Sequence, residues 1–177
     1  MASGVERRNL YTIGHGAVEL VDFLDFVRGA GIASIVDVRR FPGSRRHPQF
    51  SSEPLADALR AMGVGYRHAP DLGGRRPLRK DSPNAGLRNA GFRGYADWML
   101  GEPFRTAFTE LMKDSEATPT AVMCAETPWW KCHRRLIADA AVLLAGRNVT
   151  HVMGTKESPH APTPGVVAVD DGRLLYI

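Results

Sequence analysis

Cysteine is scarce in this chain, with two among 177 residues. That excludes a disulfide framework as the source of stability. Long apolar runs are missing as well. The longest, Ala138 to Ala145, is broken by Asp139 and falls far short of the ~20 residues that cross a bilayer. No membrane partner is therefore expected. Met1 to Arg8 places no apolar segment behind its charges, so no signal peptide is expected, and a cytoplasmic location follows as the expectation. Cys-x-x-Cys, His-Glu-x-x-His, Gly-x-Gly-x-x-Gly and Gly-x-x-x-x-Gly-Lys patterns are all absent. Standard zinc, dinucleotide and P-loop sites lose their usual spacing, so no cofactor is called for. A metal held by some of His15, Asp37, His133 and His151 is the alternative.

The hydrophobic fraction of 44% and the charged fraction of 24% are globular values. The length suits one α/β domain over 1–177. Net charge is only +4, but the arginines come in pairs. Arg39-Arg40, Arg45-Arg46 and Arg75-Arg76 fall in expected loops. A planar guanidinium forks onto phosphate or carboxylate, so an anionic partner, a nucleotide or nucleic acid, is expected. Solvated loop charge is the plainer alternative. Nothing in the sequence fixes an oligomeric state.

Asn9 to Ile13 reads as a strand that stops at Gly14-His15-Gly16. Leu20, Phe23, Leu24 and Val27 recur at helical spacing, and Gly29 or Gly31 ends that helix. Ile32 to Val38 is an apolar strand ending in Asp37-Val38-Arg39. Ser51 or Ser52 caps a second helix, and Val64 to His68 is a third strand. Residues 69–91 show little periodicity and read as a long loop: a lid, a binding loop or a disordered stretch. Two helical pieces follow, Phe92 to Leu100 and Phe104 to Met112. Thr120 to Cys124 is the fourth strand, and Thr127-Pro128 is read as the start of the next helix. Val149 to Met153 is the fifth strand. Two β-prone runs around Asp170-Asp171-Gly172 form a C-terminal hairpin. The alternation predicts a three-layer α/β domain, a mostly parallel sheet of about five strands with helices on both faces. Ligands of such sheets bind beyond the strand carboxyl ends, where the order reverses.

The chemistry-bearing residues gather at those ends. Glu126 follows a strand and is a candidate general base or a nucleophile at a sugar carbon. A structural ion pair with Arg39 or Arg134 is the competing reading. Cys132 and His133, read as one turn into the helix, are a reactive thiolate or a metal pair, or else a buried cysteine and a core histidine. Asp37 is a candidate helper in catalysis. Arg39, Arg45, Arg46, Arg134, His15 and Ser44 are candidate phosphate contacts. Trp129 and Trp130 are candidate stacking surfaces for a base, with Phe92, Tyr95 and Trp98 behind them. Two adjacent tryptophans cannot both point inward.

Thr12-Ile13-Gly14-His15, Asp37-Val38-Arg39 with Pro42 and Ser44, Leu72-Gly73-Gly74, Phe92 with Tyr95 and Met99, and Met123-Cys124-Ala125-Glu126 with Cys132-His133-Arg134 appear in that order. Together they resemble the bacterial domain-of-unknown-function family numbered 488, from Tyr11 to about His151. The resemblance implies an α/β domain and marks these positions as the family's signature. It implies no reaction.

The leading functional expectation is an enzyme acting on a nucleotide or nucleic-acid base, with N-glycosidic bond hydrolysis as its specific form. The alternatives are a transferase using the Cys132 thiolate and a non-catalytic nucleic-acid-binding module.

Overall fold

The computed structural model describes residues 9–177. The N-terminal segment read above for a leader lies outside them. Six strands form one sheet: β1 (Leu10–Gly14), β2 (Ser34–Asp37), β3 (Gly65–His68), β4 (Thr120–Cys124), β5 (Val149–Met153) and β6 (Lys156–Pro159). Their order is β3-β2-β4-β1-β5-β6. All neighbours run parallel except β6, which pairs antiparallel with β5 at the edge. A separate hairpin, β7 (Val166–Val169) with β8 (Arg173–Tyr176), turns at Gly172, whose φ of +77° suits glycine.

Side chains of the strands alternate between two cores, as period-two geometry requires. Ile13, Ile35, Ala121 and Met123 face α1 (Leu20–Gly29) and α2 (Ser52–Ala61). Leu10, Val36, Val122 and Cys124 face the opposite layer, built from α3 (Ala90–Met99), α4 (Glu102–Ala117) and α5 (Arg134–Leu143). β4 is buried at all five positions, the mark of a central parallel strand.

The connections set the site. The chain leaves β1 toward β2 on one side and leaves β4 toward β5 on the other. Their carboxyl ends therefore flank a point where the winding reverses. The β1–β4 pairing runs past the strands, with His15 N–H donating to the Cys124 carbonyl at 3.0 Å and Gly16 N–H to Ala125 at 2.8 Å.

Two local readings change. Thr127-Pro128 does not open α5. Trp129–Lys131 form a 3₁₀ turn, Cys132 is extended, and the helix starts at Arg134 with His133 as its N-cap. The reason is Arg134, whose buried Nη2 donates to the Glu126 and Thr127 carbonyls and holds that stretch as a turn. β6 was not anticipated, because Lys156-Glu157-Ser158-Pro159 has no apolar alternation. It is an edge strand, where proline and charge are tolerated.

Residues 69–91 carry a 3₁₀ turn, Pro70–Leu72, and are tied into the fold. Asp97 on α3 accepts from Arg79 N–H, from Ser82 Oγ and from Asn84 Nδ2. Leu72 and Leu87 are buried there. No helix among the described residues is long and apolar enough to cross a membrane.

Candidate functional site

Two cavities open at the carboxyl end of the sheet. One, of about 550 Å³, is lined by Cys124, Cys132, His133, Trp130, Phe92 and the Arg40 side chain, among others. The other, of about 520 Å³, is lined by Arg45, Arg46, His47, Ser44 and His15. Arg39, Phe41, Arg75, Ala125 and Glu126 line both. The two are halves of one cleft, and Glu126 sits at the seam. The volumes fall within the range of small-molecule sites.

Asp37 is fully buried and saturated, so it is a positioning residue with no free oxygen for substrate. Arg39 Nε donates to its Oδ1 at 2.9 Å and Nη2 to its Oδ2 at 2.6 Å, and the Tyr66 hydroxyl donates to Oδ2 at 2.6 Å. This corrects the expectation that Asp37 assists in catalysis. Burial works against the Arg39 charge, but the Asp37 hydrogen bonds and carboxylate outweigh it and hold the guanidinium firmly protonated. Its Nη1 lies 3.3 Å from His15 Nε2.

His15 is buried, stacks on Phe50 at 4.3 Å, and has Nδ1 2.8 Å from the Gly16 carbonyl. That contact assigns the proton to Nδ1 and leaves Nε2 to accept from Arg39. Burial lowers the His15 pKa from 6.5 to about 4, with Arg39 and His47 adding to the effect. The ring is neutral at pH 7. The Gly-His-Gly turn is not the anion-binding mouth of α1, which begins four residues later. Its glycines serve close approach instead. A Cβ on Gly14 would lie 1.8 Å from the Glu126 carbonyl oxygen, and one on Gly16 2.2 Å from Thr127 Oγ1.

Three ligand-type atoms meet beneath Glu126. Cys132 Sγ is 3.7 Å and Cys124 Sγ 4.0 Å from His133 Nδ1, and all three atoms lie within 4.8 Å of one another. His133 Nε2 is 3.2 Å from the Val38 carbonyl, which makes it the protonated nitrogen and aims the Nδ1 lone pair at the sulfurs. Tyr95 packs edge-on against the ring at 4.9 Å, its hydroxyl anchored on the Leu72 carbonyl. Both cysteines are free and buried. Burial alone would raise the Cys132 thiol, but the Cys124 hydrogen bond and the neighbouring His133 and Arg134 draw it well below its ordinary value. Cys124 moves the other way, raised by its hydrogen bond with Cys132 and by burial. Its thiol donates to Glu126 Oε2 at 2.9 Å.

Arg134 is 1% exposed and lines neither cavity, so it does not hold a phosphate. Its Nε donates to Cys132 Sγ at 3.3 Å. Arg45 and Arg46 are exposed in the second cavity, as a substrate contact requires. Ser44 lines that cavity too, but its hydroxyl accepts from His47 N–H at 2.9 Å and shapes the loop.

The two tryptophans divide. Trp130 is 46% exposed and lines the first cavity. Trp129 lines neither, lying flat on His151 at 4.0 Å. Trp98 is covered by the Arg76 guanidinium at 3.8 Å, which leaves Phe92 and Trp130 as the rings named from sequence that remain accessible, beside the exposed Phe41.

From sequence, Cys124 is the end of a strand, and Arg40 and Arg75 are members of arginine pairs without a named role in the site. Arg75 adopts φ +57°, rare for a side-chain-bearing residue, and its carbonyl accepts from Arg40 Nη1 at 2.8 Å. The legible signal was the Gly73-Gly74 pair just ahead of it. A Cβ on Gly74 would lie 2.9 Å from His133 Nδ1.

A family model described as Domain of unknown function DUF488 matches residues 19–141, more than half of the chain. The chain belongs to this family. The DUF488 match takes in the Asp37–Arg39 and Cys124–Arg134 segments but not Thr12–His15, so it is narrower than the span over which the motifs resemble the family. No curated protein and no solved structure matches the chain.

Proposed function

We propose that this DUF488 protein is a hydrolytic enzyme acting on a nucleotide or nucleic-acid base, with N-glycosidic bond cleavage as its reaction. The observation that carries the reading is the position of Glu126. Its carboxylate stands where a ring-lined half of the cleft meets an arginine-lined half. A base stacked on Trp130 or Phe92, with its phosphate on Arg45 and Arg46, spans that seam with its sugar near Glu126. Glu126 then activates water or attacks the anomeric carbon. Arg39, locked by Asp37, supplies a fixed positive charge beside it.

The test is incubation of the protein with nucleotides and with modified or damaged oligonucleotides, scored for released base. Wild type is expected to release it, and Glu126→Gln to lose at least about 100-fold of the rate. Equal behaviour of the two proteins removes the reading.

One observation favours a second reading, group transfer through a Cys132 thiolate. The buried Arg134 guanidinium has no carboxylate partner among the described residues, and the Cys132 sulfur is the group placed to be its counter-ion. A Cys132→Ser variant with full activity ends this reading.

A further inference from the structure

We infer that Cys124, Cys132 and His133 form a binding site for a zinc-class divalent cation, with its fourth coordination position open to the cleft. Zinc–sulfur bonds of about 2.3 Å and zinc–nitrogen bonds of about 2.0 Å put tetrahedral ligand atoms roughly 3.5–3.8 Å apart. The two sulfur-to-Nδ1 separations, 3.7 and 4.0 Å, already lie at or close to those edges. The sulfur–nitrogen edge of such a tetrahedron is about 3.5 Å and the sulfur–sulfur edge about 3.8 Å, and all three atoms already lie within 4.8 Å of one another, so side-chain shifts of up to about 1 Å close the set. Two thiolates and an imidazole are also the donor types that select zinc over magnesium or calcium.

The surroundings of the three atoms are those of ligands. A metal-bound histidine usually donates its second ring N–H to an oxygen, and His133 Nε2 meets the Val38 carbonyl at 3.2 Å. A ligating thiolate is steadied by an outer N–H, and Arg134 Nε supplies one to Cys132 at 3.3 Å. Gly74 is required because any side chain there would press on Nδ1 itself. The expected spacing motifs miss the site because two of its ligands are adjacent in sequence and the third ends a strand eight residues earlier. The histidines and the aspartate considered from sequence do not assemble. His151 pairs with Thr12 Oγ1 and His160 at 2.6 and 2.9 Å, and Asp37 is committed to Arg39.

Each of the three ligands lines the first cavity, so a cation held by them presents its vacant position to that space. Binding displaces the thiol proton that Cys124 donates to Glu126. Glu126, released from that hydrogen bond and lining the same cavity, would be placed to accept a proton from a water activated by the cation. The cation site goes beyond the reaction proposed above and is tested without it.

The experiment titrates the reduced, chelator-treated full chain with cobalt(II) and then zinc(II). One equivalent of cobalt is expected to give a strong thiolate-to-metal absorption, zinc is expected to displace it, and bound zinc is expected to shield both thiols from alkylation. Cys132→Ser and His133→Gln are each expected to weaken binding more than about 100-fold, beyond the loss from removing an outer-shell partner. Should those variants fail to fold, thiol shielding in the wild type reads the same site. The inference is overturned if no stoichiometric uptake occurs, if zinc leaves both thiols as reactive as before, or if Cys132→Ser binds as tightly as wild type. None of these outcomes depends on whether Glu126 hydrolyses a substrate.

Discussion

Arg134 Nε lies 3.3 Å from Cys132 Sγ, while Nη2 of the same guanidinium holds the carbonyls of the Glu126–Thr127 turn. One buried side chain thus fixes both the sulfur and the backbone that presents Glu126. Arg134→Ala is expected to lose about 3 kcal/mol of stability, because it empties a large buried volume and orphans two carbonyls. Urea denaturation checks the loss. Alkylation of Cys132 should slow in the same variant, since the thiol loses a positive neighbour.

Asp37→Asn tests the positioning role of Asp37. It strips the charge from a fully buried pair and leaves Arg39 uncompensated. A loss of about 3–5 kcal/mol is expected, read from the urea midpoint. A variant as stable as wild type would show that Arg39 is not held by this carboxylate.

The buried histidines give a pH dependence with a definite sign. Burial depresses His15 to about 4 and His151 to about 3, from 6.5 in each case. The unfolded chain binds these protons first as pH falls, so stability is full above about pH 6.5 and declines below it. His15 is faced by Arg39, His47 and Asp37, and His151 by His160, Arg134 and Asp139, so the cations among them oppose a second charge. The urea midpoint should fall between pH 6.5 and 4, and His15→Gln should flatten part of that slope. A midpoint constant across this range would contradict the burial of both rings.

Two glycine substitutions separate the fold from the site. Gly14→Ala places a methyl 1.8 Å from the backbone oxygen of Glu126, in a turn that the buried Arg134 holds in place, and is expected to cost more than about 3 kcal/mol. Gly74→Ala meets the His133 ring first, with Nδ1 at 2.9 Å. It is expected to leave the thermal midpoint within a few degrees while weakening metal binding about 10-fold, both measurable on one preparation.

The sequence carried the sheet well where periodicity was local. β4 and β5 were bounded to the residue, and the hairpin turned where Asp170-Asp171-Gly172 predicted. It carried the meeting of Glu126 and Arg39 because parallel topology alone brings strand ends together. It failed where a distant group decided. Thr127-Pro128 has the chemistry of a helix start, and only a buried Arg134 reaching back from α5 turns it into a 3₁₀ stretch. Asp37 resembled a catalytic carboxylate because nothing local reveals that Arg39 folds back on it and that Tyr66, from β3, closes its last position. Cys124 carried no role in the sequence beyond ending a strand, because its partners, His133 and Glu126, reach it only through the path of the 124–133 connection.

The most direct test of the central claim is a crystal structure of the protein with a nucleoside 5′-monophosphate soaked into it. The account predicts the phosphate on Arg45 and Arg46, the base against Trp130 or Phe92, and the sugar within reach of the Glu126 carboxylate. A nucleotide bound away from this cleft, or one whose sugar and base both lie remote from Glu126, would contradict it.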